Sequence, residues 1–483
     1  MPDADLPAEF TIQPFEVFSS LSRVNVHKSS GPDELPNWFL KDFAFVIAEP
    51  VCHIFNASIR HGIVPDIWKS ANVVPLPKSN PPRSIHDDLR PISLTPTLSK
   101  LLESMLGRRL LPYLAHKFDP RQFGALKGRS TTHALTAILH LWHQALDNHK
   151  SIRTVFVDYS KAFDHVDHAT VLAKMAALNI HPCLIRWMHS FLSNRQQRVK
   201  IGSAFSQWTT LTGGMPQGTW FGPYVFLIMI NDLLPMLDTF KFVDDVTMVE
   251  VVDPSTDSQM QAAVDQIVTW SRLNYMNINT KKTKEMLLGP IHSNPPSAIT
   301  VDNSPVECVA SFKLLGIIIT NNLSWDDHIS AICIKANKRL HYLKLLKRSS
   351  ATVDDLLHYY TSVIRPVVEY ACPVWQSCIT CEQRNRIESI QRRAIKLISN
   401  CDDYDFYCVV YNIEPLHIRL DNLARSFFYR ICNESDCLHC ILPPKRPDEL
   451  ISRLRKADVL PGIICRTERF LNSFIPYALR CYQ

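Results

Sequence analysis

The sequence has little glycine and no long hydrophobic run. Only 13 of its 483 residues are glycine, so flexible low-complexity linkers are not a large part of it. The longest apolar run, Tyr224–Ile230, is far shorter than the roughly 20 residues that cross a membrane. The first residues, MPDADLPAEF, are acidic and lack an apolar core, so we expect no signal peptide. These absences argue against membrane-spanning, secreted and low-complexity proteins.

Neither the cysteine content nor the net charge is high enough to assign the chain to a class of proteins. The 14 cysteines follow no repeating framework in this long chain, which predicts reduced thiols in an intracellular protein. Cys378 with Cys381 and Cys437 with Cys440 have zinc-type spacing, but the two pairs stand far apart, so we favour thiols and leave zinc open. The net charge of +6 fits a nucleic-acid partner if the charge lies in patches.

Strand-like and helix-like segments alternate through the first two thirds of the chain, and helical spacing dominates afterwards. The prolines between 71 and 92 favour short extended pieces there. The main predicted helices are Leu98–His116, Thr131–His149, Ala262–Leu273, Asp326–Arg348, Val353–Tyr370 and Glu382–Ser399. The main predicted strands are Arg153–Asp158, Arg198–Ile201, a pair around a tight acidic turn within Lys241–Val252, and Lys313–Thr320. This pattern predicts an α+β region followed by a helical one.

One of the five Asp-Asp pairs stands between apolar, β-type residues. The other four pairs are at 87–88, 326–327, 354–355 and 402–403. We predict these four to be helix N-terminal or solvated turn residues. Asp244-Asp245 instead follows Phe242-Val243 and precedes Val246, so two carboxylates would repel each other at a turn between buried strands unless a cation offsets them. A solvated hairpin tip is the alternative.

Asp158 ends another apolar β-type run, for which a helix N-cap is the alternative interpretation. Together with Asp244 and Asp245 it would bring three carboxylates from neighbouring strands to one edge of a sheet. Oxygen-only clusters suit Mg²⁺, and two such ions about 4 Å apart support phosphoryl transfer. We therefore predict a two-metal site at this edge.

Several motifs, in this order and spacing, resemble one family. FVDYSKAFD (156–164), GMPQGTWFGP (214–223) and FVDD (242–245) resemble the polymerase motifs of non-LTR (LINE-type) retrotransposon reverse transcriptases of the jockey-like clade. The resemblance extends to KSSGPDELP (28–36), VVPLPKSN (73–80), LRPISLTPTLSKLLE (89–103), QFGALKGRSTTHAL (122–135), NINTKKTKEM (277–286), FKLLGIIITNNLSWDDHI (312–329) and the C-terminal RTERFLNSFIPYALRCYQ. It covers nearly the whole chain.

The resemblance implies an α+β right-hand polymerase with an antiparallel palm sheet and a helical C-terminal region. The implied boundaries are a helical N-terminal extension (1–70), fingers (71–150), palm (151–323), helical thumb (324–400) and a C-terminal helical extension (401–483). It implies an RNA-directed DNA polymerase that takes an RNA template, a DNA primer, dNTPs and two Mg²⁺ ions, with Mn²⁺ as a substitute. We expect no membrane partner, action in the nucleus or cytoplasm, and no endonuclease domain in this chain.

Carried over position by position, the resemblance makes Asp158 and Asp244 metal ligands and Asp245 a supporting third carboxylate. Phe163 matches the steric gate, an aromatic ring that excludes a ribose 2′-hydroxyl. A core aromatic is the alternative at that position. The basic helices after residue 335 would contact the template–primer backbone, or would simply be solvated.

Further residues match substrate contacts of the family. Gln217 and Gly218 match a loop that contacts template and incoming nucleotide, where glycine permits close backbone approach. Lys78 and Arg90 match finger residues that hold the triphosphate; solvated surface charges are the alternative. Lys282 matches a general acid for pyrophosphate, although Lys281 stands beside it.

The sequence departs from the family pattern at a few positions. Val243 stands where alanine is usual, and a β-branched residue is expected to fit a strand. Thr219, Phe221 and Tyr224 stand where serine, leucine and leucine are usual, which bears on rate and fidelity. A decayed or domesticated element that binds nucleic acid without polymerising is therefore the main rival. A group II intron-like reverse transcriptase with maturase activity is a weaker alternative, because the finger and tail motifs are jockey-like.

Overall fold

The computed structural model describes residues 7–78, 81–82, 84–85, 88–253, 257–293, 295–447 and 459–483. Its α-helices are α1 (Pro14–Ser22), α2 (Asn37–Asp42), α3 (Ala44–His61), α4 (Thr97–Ala115), α5 (Thr131–Asp147), α6 (His168–Ala177), α7 (Pro182–Leu192), α8 (Gly222–Ile230), α9 (Met260–Leu273), α10 (Asp326–Arg348), α11 (Val353–Tyr359), α12 (Arg365–Glu369), α13 (Cys372–Trp375), α14 (Cys381–Ser399), α15 (Tyr404–Val410), α16 (Leu416–Ile431), α17 (Glu468–Leu471) and α18 (Phe474–Cys481). Short 3₁₀ helices are Ala8–Phe10, Asp66–Lys69, Ala162–His165, Pro290–Ser293 and His439–Ile441.

In the described part of the chain, the strands form two five-stranded sheets and two hairpins. They are β1 (Ser70–Pro77), β2 (Leu89–Leu94), β3 (Ser151–Val157), β4 (Gln196–Ile201), β5 (Ala204–Phe205), β6 (Thr209–Thr210), β7 (Asp238–Phe242), β8 (Asp245–Val252), β9 (Lys284–Leu288), β10 (Thr300–Val301), β11 (Ser304–Pro305), β12 (Glu307–Cys308), β13 (Ser311–Leu314) and β14 (Ile317–Thr320). The α+β fold predicted from the sequence is confirmed.

The central sheet has the strand order β12-β9-β3-β8-β7. Its strands are antiparallel except for the β12–β9 pair, which is parallel. Every residue of β3 is buried, because helices cover both faces of the sheet. Side chains of a strand alternate between faces: Ile152 and Phe156 pack into the core beside α5 and the C-terminal helices. Val155 and Val157 pack into the core beside α6, α8 and α9.

The second sheet confirms the short extended pieces expected between 71 and 92. Its order is β2-β1-β4-β5, with β6 also pairing to β4. Strands β1 and β2 are antiparallel, with Leu76 opposite Arg90, whereas β1 and β4 are parallel. Two segments expected to bear phosphate-binding cations therefore lie on neighbouring strands.

Two predictions for regular elements were wrong in detail. Lys313–Thr320 is a hairpin, because Leu315 and Gly316 both have positive φ, at 44° and 92°, and reverse the chain. Val353–Tyr370 is interrupted by a π-helical turn at Tyr360–Ile364 before α12 begins. Pro366 has no N–H to donate within a regular helix, and a π-bulge accommodates the lost bond.

Buried polar contacts join the C-terminal helices to the rest of the fold. The carboxylate of Asp147, at the end of α5, accepts hydrogen bonds from the backbone N–H groups of Arg466 (2.9 Å) and Thr467 (2.8 Å). Glu388 in α14 accepts the N–H groups of Leu416 (3.0 Å) and His417 (3.1 Å) at the start of α16. Among the described helices, none is long and apolar enough to cross a membrane.

Candidate active site

The pairing of two central strands brings the predicted acids together. Val157 of β3 lies opposite Val246 of β8, so the next residues along the antiparallel pair, Asp158 and Asp245, stand beside each other where the strands end. Asp244 precedes Asp245 in the turn between β7 and β8. The three acidic residues therefore stand at one edge of the central sheet, and Asp158 is not a helix N-cap.

The acidic turn has a backbone conformation that the sequence did not predict. Val243 has φ of 59° and lies in the turn, so the expectation that it fits a strand was wrong. A β-branched residue is unfavourable in the left-handed region. The side-chain oxygen of the buried Gln122 accepts the N–H groups of Val243 and Gly124, each at 2.9 Å. A Cβ on Gly124 would lie 2.5 Å from the nitrogen of Val243, so the two segments pack in backbone contact.

The segment that carries Gln122 runs along the outer edge of β7. Gln122 forms a parallel bridge with Lys241. The N–H of Phe123 donates to the Lys241 carbonyl at 2.8 Å, and the N–H of Lys241 donates to the Arg121 carbonyl at 2.9 Å. The ammonium of Lys241 is buried against Asp119, 2.7 Å away. These contacts fix the strand that leads into the acidic turn.

The protein surroundings oppose negative charge on all three acids. Burial raises the pKa of Asp158, against the lowering effect of Lys282 and Lys78. Burial raises the pKa of Asp244, and the charge of Asp158 raises it further. Although the side chain of Asp245 reaches solvent, burial and the charges of Asp244 and Asp158 raise its pKa to about 6. Such mutual repulsion is relieved when a cation binds among the carboxylates.

The backbone around Asp158 is tied to the turn that precedes β9. The carbonyl of Asp158 accepts the N–H of Asn279 at 2.7 Å, and its own N–H donates to the hydroxyl of Thr283 at 3.3 Å. Its Oδ2 atom is shielded from solvent and accepts no hydrogen bond from the described part of the chain. The Nζ atom of Lys282 lies 3.7 Å from that oxygen. Sequence reasoning had singled out Lys282 but neither Asn279 nor Thr283.

The loop 214–221 lies directly against the segment that follows Asp158. Phe163 stands in the 3₁₀ helix after β3, and its carbonyl accepts the N–H of Met215 at 2.7 Å. The ring of Phe163 is half-buried and lies 5.0 Å from that of Phe226 in α8. The amide of Gln217 donates to Asp164 at 3.5 Å.

The same loop also contacts the second sheet. The carbonyl of Gln217 accepts the N–H of Ser93 in β2 at 2.7 Å. Gly218 has φ of 113°, and a Cβ there would lie 3.0 Å from the Ser93 carbonyl, so glycine allows this close approach. Arg90 is exposed on the same strand. The exposed Lys78 follows β1, and its charge acts on Asp158. The loop with Gln217 and Gly218 is thus joined to the segment after Asp158 and to β2, and Lys78 lies near enough for its charge to act on Asp158.

The zinc-type cysteine pairs form no joint cluster in the described part of the chain. All 14 cysteines are free. The thiol of Cys378 donates to the carbonyl of Asn472 at 3.2 Å. Among the described residues, His133, Asp436 and Cys437 are the one group whose three ligand atoms all lie within 4.8 Å of one another, a tighter spacing than the three acids of the central sheet have. This group contains Cys437 but none of the other three zinc-type cysteines, so binding of zinc by the two pairs stays an open prediction.

An antiparallel sheet with clustered acids at one edge, flanked by helices and by a second small sheet, is the α+β architecture of right-hand polymerases. The family model described as "Reverse transcriptase (RNA-dependent DNA polymerase)" matches residues 76–319, just over half of the chain. The chain belongs to the reverse transcriptase family. This family generally uses divalent metal ions.

Curated relatives agree with the predicted clade. The chain is 26% identical over 465 residues to a probable RNA-directed DNA polymerase from transposon X-element of Drosophila melanogaster, covering 93% of this chain and 51% of the relative. It is 24% identical over 440 residues to the RNA-directed DNA polymerase from mobile element jockey of the same organism, covering 86% and 47%. The chain therefore spans about half the length of these relatives. An apo telomerase from Candida tropicalis shares 12% identity over 55% of each chain, with a TM-score of 0.36.

Proposed function

We propose that this chain synthesises DNA on an RNA template by extending a primer 3′-hydroxyl with dNTPs. The observation that carries the proposal is the β3–β8 register, by which Asp158 stands beside Asp245 with Asp244 in the adjoining turn. Membership of the reverse transcriptase family supports a role for these acids in RNA-dependent DNA synthesis. The activity would take place in the nucleus or cytoplasm.

Asp158, Asp244 and Asp245 would hold two Mg²⁺ ions, with Mn²⁺ as a substitute. The donor set fits, because all the ligands are oxygens, Oδ2 of Asp158 has no hydrogen-bond donor in the described structure, and each pKa is raised by burial. When bound, the ions supply charge that activates the 3′-hydroxyl and stabilises the leaving pyrophosphate. The protein's part is to keep the three carboxylates at fixed separation through strand pairing.

Phe163, Gln217 and Gly218 would bind the sugar and base of the incoming nucleotide. The ring of Phe163 packs on Phe226, so it has a fixed orientation in which it can exclude a 2′-hydroxyl. Gln217 and Gly218 belong to a loop held by Phe163 on one side and Ser93 on the other. The backbone at Gly218 carries no side chain to obstruct a template base.

Three cations would bind the triphosphate and its product. Lys78 and Arg90 extend from neighbouring strands of the second sheet, and Arg90 can bind phosphate oxygens with two donors. Lys282, close to Asp158, would donate a proton to pyrophosphate as it leaves. In the apo protein the same ammonium partly offsets the charge of Asp158.

The template and primer would lie against basic faces of the C-terminal helices. Helices α10 and α14 pack against each other. Their exposed cations are Lys335, Lys338, Lys344, Arg348, Arg384, Arg392, Arg393 and Lys396. Distributed positive charge of this kind binds phosphates without reading sequence. We assign residues 71–150 to fingers, 151–323 to palm and 324–400 to thumb, between the extensions 1–70 and 401–483.

Primer extension on an RNA template with purified protein, dNTPs and Mg²⁺ tests the proposal. We expect the wild type to extend the primer and Asp244→Asn to lose that activity. Asp327→Asn is the matched control, because Asp327 is exposed in another Asp-Asp pair, at the start of α10, and should extend like the wild type. A folded wild type that binds RNA but extends no primer would favour the decayed, nucleic-acid-binding element.

A further inference from the structure

Helix α4 carries a fully buried acid, Glu103, that the proposed chemistry does not use. Its side chain is 0% exposed. Its Oε2 atom accepts the backbone N–H groups of Trp220 at 2.9 Å and Phe221 at 3.3 Å, and Oε1 accepts the hydroxyl of Ser99 at 3.1 Å. A buried carboxylate is costly unless its oxygens are hydrogen bonded. Two of the three hydrogen bonds described for this carboxylate therefore come from consecutive backbone N–H groups of one loop.

The two N–H groups belong to residues that lie between the predicted nucleotide-binding residues and helix α8. Trp220 and Phe221 follow Gln217 and Gly218, and Phe221 is the N-cap of α8. N–H groups at the start of a helix have no carbonyl partner within it, and a nearby acid is favourable there. Because neither Trp220 nor Phe221 has a capping side chain, Glu103 supplies the acceptor from a neighbouring helix.

Gly107, one turn further along α4, holds the same loop residue in a different way. A Cβ at Gly107 would lie 1.5 Å from Cζ3 of Trp220, so only glycine lets the indole lie against the helix. Glu103 thus fixes the backbone of Trp220, and Gly107 makes room for its ring. Two residues at helical spacing act on one position.

Glu103 is the last anchor along the loop 214–221. At the start of the loop, the N–H groups of Gly214 and Met215 donate to the carbonyls of Val166 (2.9 Å) and Phe163 (2.7 Å), and the His168 ring contacts the Gly214 carbonyl. At Gln217, the carbonyl accepts the N–H of Ser93 at 2.7 Å and the side chain donates to Asp164. Glu103 binds the C-terminal end of the loop, so removing its side chain would free that end beside Gly218.

We propose that Glu103 is a positioning residue, whose Oε2 atom fixes the loop 214–221 so that Gln217 and Gly218 meet the incoming nucleotide in productive geometry. This inference rests on the proposed polymerase function. It assigns to Glu103 no contact with substrate and no proton transfer.

Two substitutions separate the hydrogen bonds from the charge. Glu103→Gln retains an oxygen that can accept both N–H groups and an amide that can donate to Ser99, but it removes the charge opposite the buried Arg195. Glu103→Met removes the charge and the acceptors alike. Both variants should lower the unfolding temperature, since Arg195 is left without its counter-charge. Only Glu103→Met should release the loop.

The kinetic readout is single-nucleotide extension with the dNTP concentration varied. We expect Glu103→Met to lower kcat/KM for dNTP by about 10- to 100-fold, mainly through KM, because a small misplacement of a positioning group costs that much. Glu103→Gln should stay within about threefold of the wild type. Gly107→Ala should reproduce the Glu103→Met effect, because it displaces Trp220 without altering Glu103.

Glu388→Met is the matched control. Glu388 is also buried and also accepts two consecutive backbone N–H groups, at the start of α16. The Glu388→Met substitution should lower the unfolding temperature and leave the KM for dNTP unchanged. An equal rise in KM in this control, or a Glu103→Gln variant as impaired as Glu103→Met, would overturn the proposal.

Amide hydrogen exchange gives a readout that needs no activity. In Glu103→Met the amides of Trp220 and Phe221 should exchange faster than in the wild type, and in Glu103→Gln they should not. If the wild type extends no primer, the proposed function is refuted. The exchange rates would still show whether Glu103 fixes the loop 214–221. Unchanged exchange in Glu103→Met would refute the anchor whether or not the wild type extends primers.

Discussion

Gln122→Met should loosen the acidic turn and strongly slow polymerisation without unfolding the chain. The side chain of Gln122 is 2% exposed, and its oxygen is the acceptor for Val243 and Gly124. Its Nε2 atom makes no hydrogen bond within the described structure, so the acceptor is what the substitution removes. Methionine has a similar volume, so the packing loss is small.

The expected size of the effect follows from the two amides left without an acceptor. Each buried, unsatisfied N–H costs about 1–3 kcal/mol, so the pair costs about 2–6 kcal/mol, and water entering the half-buried turn moves the figure toward the lower end. Val243 additionally gives up a left-handed conformation that costs roughly 1–2 kcal/mol. The cheapest response is for the turn to relax and carry Asp244 away from Asp158.

Urea unfolding and primer extension together measure this prediction. The urea midpoint should fall, and extension per folded molecule should drop by about 100-fold. The control is Gln391→Met, because Gln391 is a fully buried glutamine that bonds Tyr360 and Tyr404 among the C-terminal helices. It should lower the midpoint and leave extension intact. Wild-type extension by Gln122→Met would refute the view that this acceptor fixes the turn.

Three further predictions concern stability, sugar choice and pH. Arg153→Met should destabilise the central sheet by about 3–5 kcal/mol in urea unfolding, because the buried Glu285, 2.5 Å from Arg153, loses its partner. Phe163→Val should raise ribonucleotide over dNTP incorporation by about tenfold, the factor that 1.4 kcal/mol of lost discrimination produces. Burial lowers the pKa of His140 to about 4 and of His143 to about 3, whereas histidine in an unfolded chain has a pKa of about 6.5. Since the unfolded chain then binds more protons, the free energy of unfolding should fall as pH drops from about 6.5 toward 4, and His143→Gln should reduce that slope in thermal unfolding.

The acids of the candidate site could be predicted because their signals are local. Asp158 ends an apolar run of strand-type residues, and Asp244-Asp245 interrupts another. Antiparallel pairing of two such runs brings their ends to one edge. The α+β order and the long helices were equally visible, because hydrophobic periodicity is a property of neighbouring residues.

The supports of the site could not be predicted, because their partners are distant in sequence. Gln122 acts on Val243, and Glu103 acts on Trp220, more than a hundred residues away in each case. The prediction at Val243 was wrong for a related reason. The intrinsic β-propensity of valine favours a strand, whereas tertiary contacts impose a left-handed turn conformation there. The hairpin at Gly316 was hidden by apolar residues on both sides, although the glycine itself was a usable turn signal.

The central claim is that Asp158, Asp244 and Asp245 together hold the divalent cation used for polymerisation. Fe²⁺ also binds carboxylate oxygens. With added hydrogen peroxide, which oxidises Fe²⁺ and yields hydroxide and a hydroxyl radical, and with ascorbate to reduce the Fe³⁺ again, the radicals cut the peptide backbone close to where the ion binds. Mass spectrometry of the fragments then locates the ion. Cleavage beside Asp158 and within 243–246, removed by excess Mg²⁺ and by Asp158→Asn, is the predicted result. Cleavage confined to other segments, or unchanged in Asp158→Asn, would contradict the account.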